Sequence, residues 1–400
     1  RAARAGEGPA VFYVDNHLRP YSGKEVVGKG WRMQDRRVLP GTSDYYVHDE
    51  DGGPMFRIAV PSHDSLSVEL LPIANRLRAA LGPDERILLA FDRAGAHAEP
   101  LVTLRDAGFE MVTYERKPYP ELAESTFKPT TICGETVAMH ESRLRNLGEG
   151  RGRVRRIAIR TADGRQVNFL AVSTEPAERL VEILWQRWRQ ENGFKHGVER
   201  WGINQLDGRA VEPYPPGTII PNPKRRRLDH ALRLARVAEG DARRELARLP
   251  AGDRRVRAEQ DLADALDRQA ELESLRPSTP THAPFEETEL ADTLVRHPDD
   301  YKTVIDVIRI VCANAESDLA TVLAAHLRRP REAKKIIANL FTAPGKITVT
   351  ERAIHVRLAP AANRSEKDAL RQLLIAINDR RLTLPSDPKR LPLVFDLQVS

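Results

Sequence analysis

Three carboxylates stand where the surrounding pattern makes them costly unless each has a partner. The run "VFYVD" predicts a buried strand over 11–15 that ends in Asp15, and "RILLAFD" predicts a second strand that ends in Asp92. Glu191 lies on the apolar face of a predicted helix. A charge that faces a core must be paired or bind a metal. Each acid is therefore either a metal ligand or a structural residue, with Asp15 capping a turn and Glu191 pairing with Arg187, one turn back.

The elements around the first two acids predict an α/β series. Residues 45–48 and 55–60 predict a hairpin around an Asp-Gly-Gly turn, and residues 66–81 predict a helix that stops at Gly82. A short helix near 98–107 and the strand "FEMVTYER" follow. The order is three strands, a helix, a strand, a helix and a strand, with acids at the ends of the first and fourth strands.

The third acid lies in the segment "AERLVEILWQRWRQENGFKHG", residues 177–197. Its spacing predicts one helix with a shared apolar face, because residues recur there at intervals of three and four: Leu180, Leu184, Trp188, Glu191, Phe194 and Val198. We expect Trp188 and Trp201 to be core residues. Between Asp92 and this helix, the sequence predicts β-strands joined by Gly-rich turns.

This series resembles the ribonuclease H-like fold, and specifically the DDE transposases of bacterial insertion sequences. In that family two aspartates come from neighbouring central strands and a glutamate from a later helix. The helix carries a signature of tyrosine, two residues, arginine, three residues, glutamate, six residues and lysine. Arg187 and Glu191 match the signature and are followed by Phe194 and Lys195, whereas Leu184 and Val198 replace its tyrosine and lysine.

The resemblance covers about residues 11–205, and some members of the family carry a β-rich insertion before the glutamate helix. It implies a fold of class α/β: a ribonuclease H-like mixed sheet with flanking helices and a β insertion, followed by a mostly α-helical C-terminal region. The predicted domains are a catalytic domain at 9–222 with its insertion near 126–175, a charged helical arm at 223–280, and a C-terminal helical region with a small α+β tail at 288–400.

The resemblance implies a DNA transposase, which cleaves DNA at the ends of its element and transfers the 3′ hydroxyl strand into target DNA. Asp15, Asp92 and Glu191 would hold two Mg²⁺ ions, with Mn²⁺ as a substitute, while Arg187 and Lys195 would orient the helix or bind the scissile phosphate. Two such ions can activate the attacking oxygen and stabilise the leaving one, and hard ions prefer carboxylate ligands. The alternatives are a ribonuclease H-like nuclease or resolvase without strand transfer, and a catalytically inactive DNA-binding descendant.

The predicted partner is double-stranded DNA, from element ends and target, bound by a homodimer. The net charge of +6 leans weakly toward an anionic partner. Arginine forks suit phosphate, and the alternative for each basic stretch is a solvated surface. The candidates lie in the polar loop over 19–40 and in a later strand: Lys24, Lys29, Arg32, Arg36, Arg37, Arg153, Arg155 and Arg156. We expect His17 and His97 to be satisfied or surface imidazoles, outside the catalytic set.

The sequence pattern predicts mostly helices in the second half of the chain. Residues 226–275 predict two antiparallel charged helices, 288–342 predict further helices, 346–358 a strand pair, and "EKDALRQLLIAINDRR" a last helix.

The remaining expectations concern location and cysteine chemistry. No apolar run reaches the ~18 residues of a membrane helix, so we expect a bacterial cytoplasmic protein without a membrane partner, associated with the nucleoid when bound to DNA. Cys133 and Cys312 form no CxxC and are expected to be small buried or partly buried hydrophobes. The resemblance also implies a helical end-recognition domain ahead of the first aspartate, where this chain has 14 residues.

Overall fold

The computed structural model describes residues 8–32, 34–61, 65–205, 207–359 and 364–398, without the side chains at 143 and 144. Its first part alternates strands and helices as the apolar runs predict. In chain order these are β1 (Ala10–Pro20), β2 (Val26–Val27), β3 (Lys29–Arg32), β4 (Arg37–Asp49), β5 (Pro54–Val60), α1 (Leu66–Leu81), β6 (Ile87–Phe91), α2 (Ala98–Asp106) and β7 (Glu110–Tyr114).

One mixed sheet organises this half of the protein, so the α/β class is confirmed. Strand β1 pairs antiparallel with β4 and parallel with β6, which in turn pairs parallel with β7. Phe12 and Val14 face a core built with α1 and α2, whereas Val11 and Tyr13 face the opposite core. Both faces of β1 are buried, which explains its continuous apolar run.

The first strand is longer than predicted. Its parallel pairing with β6 stops at Val14, opposite Phe91, but its antiparallel pairing with β4 continues to Pro20. Asp15 is therefore the first residue of β1 beyond the end of β6 and lies within a strand, so the prediction that the strand ends there is wrong. The polar continuation is stable because β4 supplies its ladder and tertiary partners satisfy its side chains. Buried Arg19, for example, donates hydrogen bonds to the Thr42 hydroxyl at 2.9 Å and the Gln205 carbonyl at 3.0 Å.

The polar segment over 19–40, predicted as a loop, contains strand structure. Strand β3 pairs antiparallel with the start of β4, from Lys29 opposite Pro40 to Arg32 opposite Arg37. The short strand β2 pairs with a strand far along the chain. We call β3 and the start of β4 the β3–β4 ribbon. Basic side chains are tolerated there because most of them are exposed to solvent.

The strands predicted between Asp92 and the glutamate helix are present and extend the same sheet. They are β8 (Lys128–Ile132), β9 (Glu135–Asn146), β10 (Arg153–Arg160) and β11 (Gln166–Val172). Strand β11 pairs antiparallel with β7, and β10, β9 and β8 follow in that order. Cys133 lies in the β8–β9 turn at φ 52° and is exposed, so its predicted burial is wrong, whereas Cys312 is partly buried as predicted.

The glutamate helix is broken, which corrects the prediction of one continuous helix. It consists of α3 (Ala177–Trp185) and α4 (Trp188–His196), and a π-helical turn, Gly197–Trp201, follows. Buried Gln190 fixes the new direction: its amide nitrogen lies 3.3 Å from the Tyr13 carbonyl and 3.2 Å from the Tyr46 carbonyl. As a result Trp188 is 56% exposed, and its predicted place in the core is wrong.

The remaining elements are mostly helical, with short strands between them. They are β12 (Glu212–Pro213), β13 (Ile219–Pro221), α5 (Pro223–Leu246), α6 (Asp253–Leu275), β14 (His282–Pro284), β15 (Leu294–Arg296), α7 (Asp300–Ala324), α8 (Ala333–Thr342), β16 (Gly345–Val349), β17 (Ile354–Leu358), α9 (Arg364–Asn378) and β18 (Leu393–Leu397). In the part of the chain that the structure describes, no helix combines the length and apolarity needed to cross a membrane.

The predicted helical arm and tail are present. Ion pairs from Arg236 to Glu273 and from Arg276 to Asp229 join α5 and α6 in antiparallel order. Strands β16 and β17 pair antiparallel, and the tail adds β18, which the sequence did not predict. The division into domains stays a prediction. Contacts cross its boundaries, because β15 pairs with β2 and α7 packs on β5.

Candidate active site

The two aspartates converge on one arginine. Asp15 on β1 and Asp92, which directly follows β6, lie at the same edge because β1 and β6 are parallel neighbours. Arg187, at the break between α3 and α4, places Nη2 3.0 Å from Asp15 Oδ2 and Nη1 3.8 Å from Asp92 Oδ1. About a quarter of each aspartate side chain is exposed, so both can still be reached by a ligand.

Burial dominates the electrostatics of this cluster. It raises the pKa of Asp15, and the negative charge of Asp92 raises it further, while Arg187 and the Asn16 N–H lower it. Burial would lower the pKa of Arg187, but Asp15 and Asp92 outweigh it and the pKa is raised. An ionised Asp15 is therefore costly in this place even beside the Arg187 guanidinium, and a further cation would favour it.

Glu191 and Lys195 reach the same place from α4. Both side chains are exposed, and both line a cavity of about 880 Å³ together with Asp15 and Asp92. The cavity is open to solvent and is also lined by two basic residues of the β3–β4 ribbon, Lys29 and Arg32. The structure thus brings Asp15, Asp92, Glu191 and Lys195 to one cavity, with Arg187 bridging the aspartates behind it.

The donor set fits a divalent cation in part. In the residues that the structure describes, no group of three or more His, Cys, Asp or Glu side chains is placed to hold a metal ion. The two aspartates nevertheless converge on a single cation, the Arg187 guanidinium, and their oxygens are the ligands that Mg²⁺ prefers. Glu191 contributes at longer range, through its charge on Arg187.

The predicted DNA-binding residues fall into two groups. In the first group, Lys24 is exposed just before β2, and Lys29, Arg36 and Arg37 are exposed in the β3–β4 ribbon, where Arg32 is paired with Asp35 at 2.8 Å. On β10, Arg153 is exposed.

The other two arginines of β10 are engaged inside the protein. Arg155 pairs with Glu141 at 2.7 Å, and Arg156 pairs with buried Glu115 at 2.8 Å. The cavity lining includes residues of the first group, Lys29 and Arg32, and none of the β10 arginines.

The two histidines have partners, as predicted. His17 lines the cavity, and its Nε2 lies 2.7 Å from Asn204 Oδ1 while its ring stacks on Phe194. Burial lowers the pKa of His17. His97 contacts Arg116, and burial and that charge lower its pKa.

Tyr114 is a site residue that the sequence reasoning missed. It is the last residue of β7 and follows Thr113, which pairs in register with Phe91, so it stands beside Asp92 at the same sheet edge. Burial raises the pKa of its phenol, which also senses the charges of Arg187, Asp92 and Glu191. The available signal was positional: β7 is a third parallel strand whose end meets the two acids.

The fold and the cavity define a mixed α/β protein with carboxylates at the edge of its parallel strands. Over residues 4–399 the sequence matches a family described as "Transposase protein", and the chain belongs to that family. No curated protein matches the sequence. Among solved structures, it is similar to a chain in the cryo-EM structure of the piggyBac transposase synaptic complex with hairpin DNA. The identity is 11%, the coverage 48% of this chain and 40% of that chain, and the TM-score 0.32.

Proposed function

We propose that this protein is a DDE-type DNA transposase, which cleaves element ends and joins the freed 3′ hydroxyl to target DNA. One observation carries the proposal: Asp15 and Asp92, from neighbouring parallel strands, share a cavity with Glu191 and Lys195 from a later helix. Membership of a transposase family supports it. The bacterial insertion-sequence type and the cytoplasmic location are parts of the same proposal.

The strand arrangement supports a ribonuclease H-like fold. The resemblance expects its two aspartates on neighbouring central strands, and β1 and β6 are neighbours near the middle of the sheet. Across the sheet these strands lie in the order β5, β4, β1, β6 and β7. Along the chain, α1 and α2 join the parallel strands, so the same elements follow one another as three strands, helix, strand, helix and strand. The added strands β8–β11 correspond to the proposed β insertion.

The aspartates are the residues that would hold Mg²⁺, with Glu191 as the third carboxylate. When bound, two such ions supply an activated oxygen nucleophile and stabilise the leaving oxygen. The chain's own part is positional. Arg187 keeps the carboxylates of Asp15 and Asp92 aligned on one point, and Lys195 offers a cation to a phosphate at the cavity mouth.

Double-stranded DNA is the proposed partner, contacted first by the β3–β4 ribbon. Lys29, Arg36 and Arg37 are exposed there, Lys24 is exposed just before β2, and Lys29 lines the cavity. Phosphate contacts of this kind supply sequence-independent, salt-sensitive affinity. Arg155 and Arg156 are neutralised by Glu141 and Glu115 and would contribute less.

Nicking of supercoiled plasmid in Mg²⁺ or Mn²⁺ tests the site. We expect the parent chain to nick, and Asp15→Asn, Asp92→Asn and Glu191→Gln to fall to background. Asp84→Asn, an exposed acid in the turn before β6, is the matched control and keeps full activity. Activity that survives the three site changes would place the active site elsewhere.

Nicking together with a joining assay separates the rival functions. An inactive DNA-binding descendant would bind DNA without nicking it. A nuclease or resolvase would nick, yet would not join a pre-cut 3′ hydroxyl end to a second DNA. Joining by the parent chain therefore distinguishes a transposase from both.

A further inference from the structure

The first half of helix α7 is inverted, with charged residues inside and apolar residues outside, whereas its last turns bury Ala320 and Leu323. Lys302 and Asp306 are buried, whereas Tyr301, Val304 and Val311 are 59% to 62% exposed. Val307 and Ile308, on the same side, are 55% and 53% exposed. A surface helix ordinarily turns the opposite face to solvent.

Buried ion pairs hold α7 in this orientation. Arg57 of β5 pairs with Asp306 and, at 3.0 Å, with Asp44 of β4, and Lys302 lies 3.5 Å from Asp44. Farther along the helix, Arg309 pairs with Asp207 at 2.6 Å and also with Asp306 at 2.8 Å. Rotating the helix to hide its apolar side would take Lys302, Asp306 and Arg309 away from their buried partners Asp44, Arg57 and Asp207. Loss of these pairs is costly, so the apolar side stays exposed.

The exposed apolar residues form a narrow seam with coiled-coil spacing. We define the seam as Tyr301, Val304, Ile308, Val311 and Ala315, all exposed, at intervals of three, four, three and four. An apolar repeat of 3.5 residues keeps one stripe facing a partner helix. The partner that fits the seam is therefore another helix.

The charges around the seam argue against nucleic acid or an anionic membrane. Exposed Asp300 and Asp318 stand at its two ends. Between those ends the flanking residues are uncharged: Val307 and Asn314 on one side, Ile305 and Cys312 on the other. Two identical seams can meet there without like charges at the flanking positions that set partner choice.

We propose that the seam of α7 binds the α7 seam of a second copy and forms a homodimer. From their exposed fractions, the apolar side chains on this side of the helix expose roughly 500 Å² per copy, so a pair that covered them completely would bury on the order of 1,000 Å², the lower limit for a biological interface. The proposal needs no DNA and no catalysis, so it stands or falls separately from the proposed function.

Sedimentation velocity of the full chain without DNA tests the dimer, over about a hundredfold range of concentration. We expect the parent chain to dimerise, and Val304→Glu combined with Val311→Glu to raise the dimer dissociation constant by at least about 100-fold. Val237→Glu on α5 and Val256→Glu on α6 are matched controls, because these valines are also 54% and 64% exposed. Both controls should stay dimeric.

Two results would overturn the proposal: a parent chain that is monomeric over the whole range, or a double variant that dimerises as tightly as the parent. If circular dichroism shows that the double variant is unfolded, cross-linking replaces it. In a Cys133→Ser, Cys312→Ser background, an oxidised mixture of the Val304→Cys and Val311→Cys chains should give a covalent dimer, for either helix direction. Val256→Cys should not. If the mixture of the Val304→Cys and Val311→Cys chains gave no covalent dimer, that result would equally refute the seam as the dimer interface.

Discussion

Arg187→Met perturbs the cluster at its centre. The guanidinium lies 3.0 Å from Asp15 and 3.8 Å from Asp92, and the Arg187 side chain is 11% exposed. Methionine keeps much of the apolar stem but removes the charge, so the two carboxylates lose the guanidinium that lies between them. Breaking a fully buried pair costs about 3–5 kcal/mol. Because both aspartates are partly exposed and regain some hydration, we expect the free energy of unfolding at pH 7.5 to fall by about 2 kcal/mol.

The loss should depend on pH, and its sign follows from Asp15. Burial already raises the pKa of Asp15, and removing Arg187 raises it further, because the charge and the hydrogen bond of Arg187 lower that pKa. A carboxyl whose folded-state pKa is raised destabilises the fold when ionised and ceases to do so as pH falls through that pKa. The difference in the free energy of unfolding between parent and variant should therefore shrink to below about 1 kcal/mol near pH 4, because that pH is close to the ordinary pKa of aspartate.

Urea denaturation at the two pH values measures this difference, and Arg93→Met is the matched control. Arg93 lies 3.7 Å from Asp92, but its side chain is 65% exposed. Exposed ion pairs contribute little, so Arg93→Met should change stability by less than about 0.5 kcal/mol at either pH. An Arg187→Met loss that is the same at pH 4 and pH 7.5, or no larger than that of Arg93→Met, would refute the electrostatic account of the cluster.

Two further changes probe the support of the site and its DNA contacts. Gln190→Leu removes the amide that donates hydrogen bonds from α4 to the Tyr13 and Tyr46 carbonyls. It should lower the free energy of unfolding, measured in urea, by about 2–4 kcal/mol. A loss below about 0.5 kcal/mol would contradict an anchoring role for Gln190. Lys29→Ala should weaken DNA binding and reduce the salt slope of the affinity by about 0.9, which filter binding at several salt concentrations measures. Lys128→Ala, exposed on β8, is its control, and equal slopes for both would exclude Lys29 from the phosphate path.

Local hydrophobic patterns in the sequence predicted the strands and helices whose burial follows those patterns. The apolar runs over 11–14 and 87–91 identified β1 and β6, and helical spacing with Gly82 identified α1 almost to the residue. That the two acids come together was implied by the resemblance to the DDE transposases, in which the two aspartates come from neighbouring central strands. The apolar runs before Asp15 and Asp92 do not by themselves say that β1 and β6 are parallel neighbours, which the pairing of the two strands shows.

Features that depend on tertiary partners were not predictable from pattern. The extension of β1 past Asp15 depends on the ladder of β4, and the break after α3 depends on Gln190 reaching two distant carbonyls. The periodicity of polar and apolar residues gives the two faces of a helix but not which face is buried. The first half of α7 buries its charged side because Asp44 and Arg57 stand opposite. Such ion pairs join residues far apart in the sequence and leave no local signature.

The central claim is that Asp15, Asp92 and Glu191 form one active site for DNA strand transfer. The most direct measurement is the joining of a labelled 3′ hydroxyl end of the element to target DNA by the full chain in Mg²⁺. The proposal predicts joined product from the parent chain and from Asp84→Asn, and background from Asp15→Asn, Asp92→Asn and Glu191→Gln. Joined product from any of the three site variants at the parent's rate would contradict it.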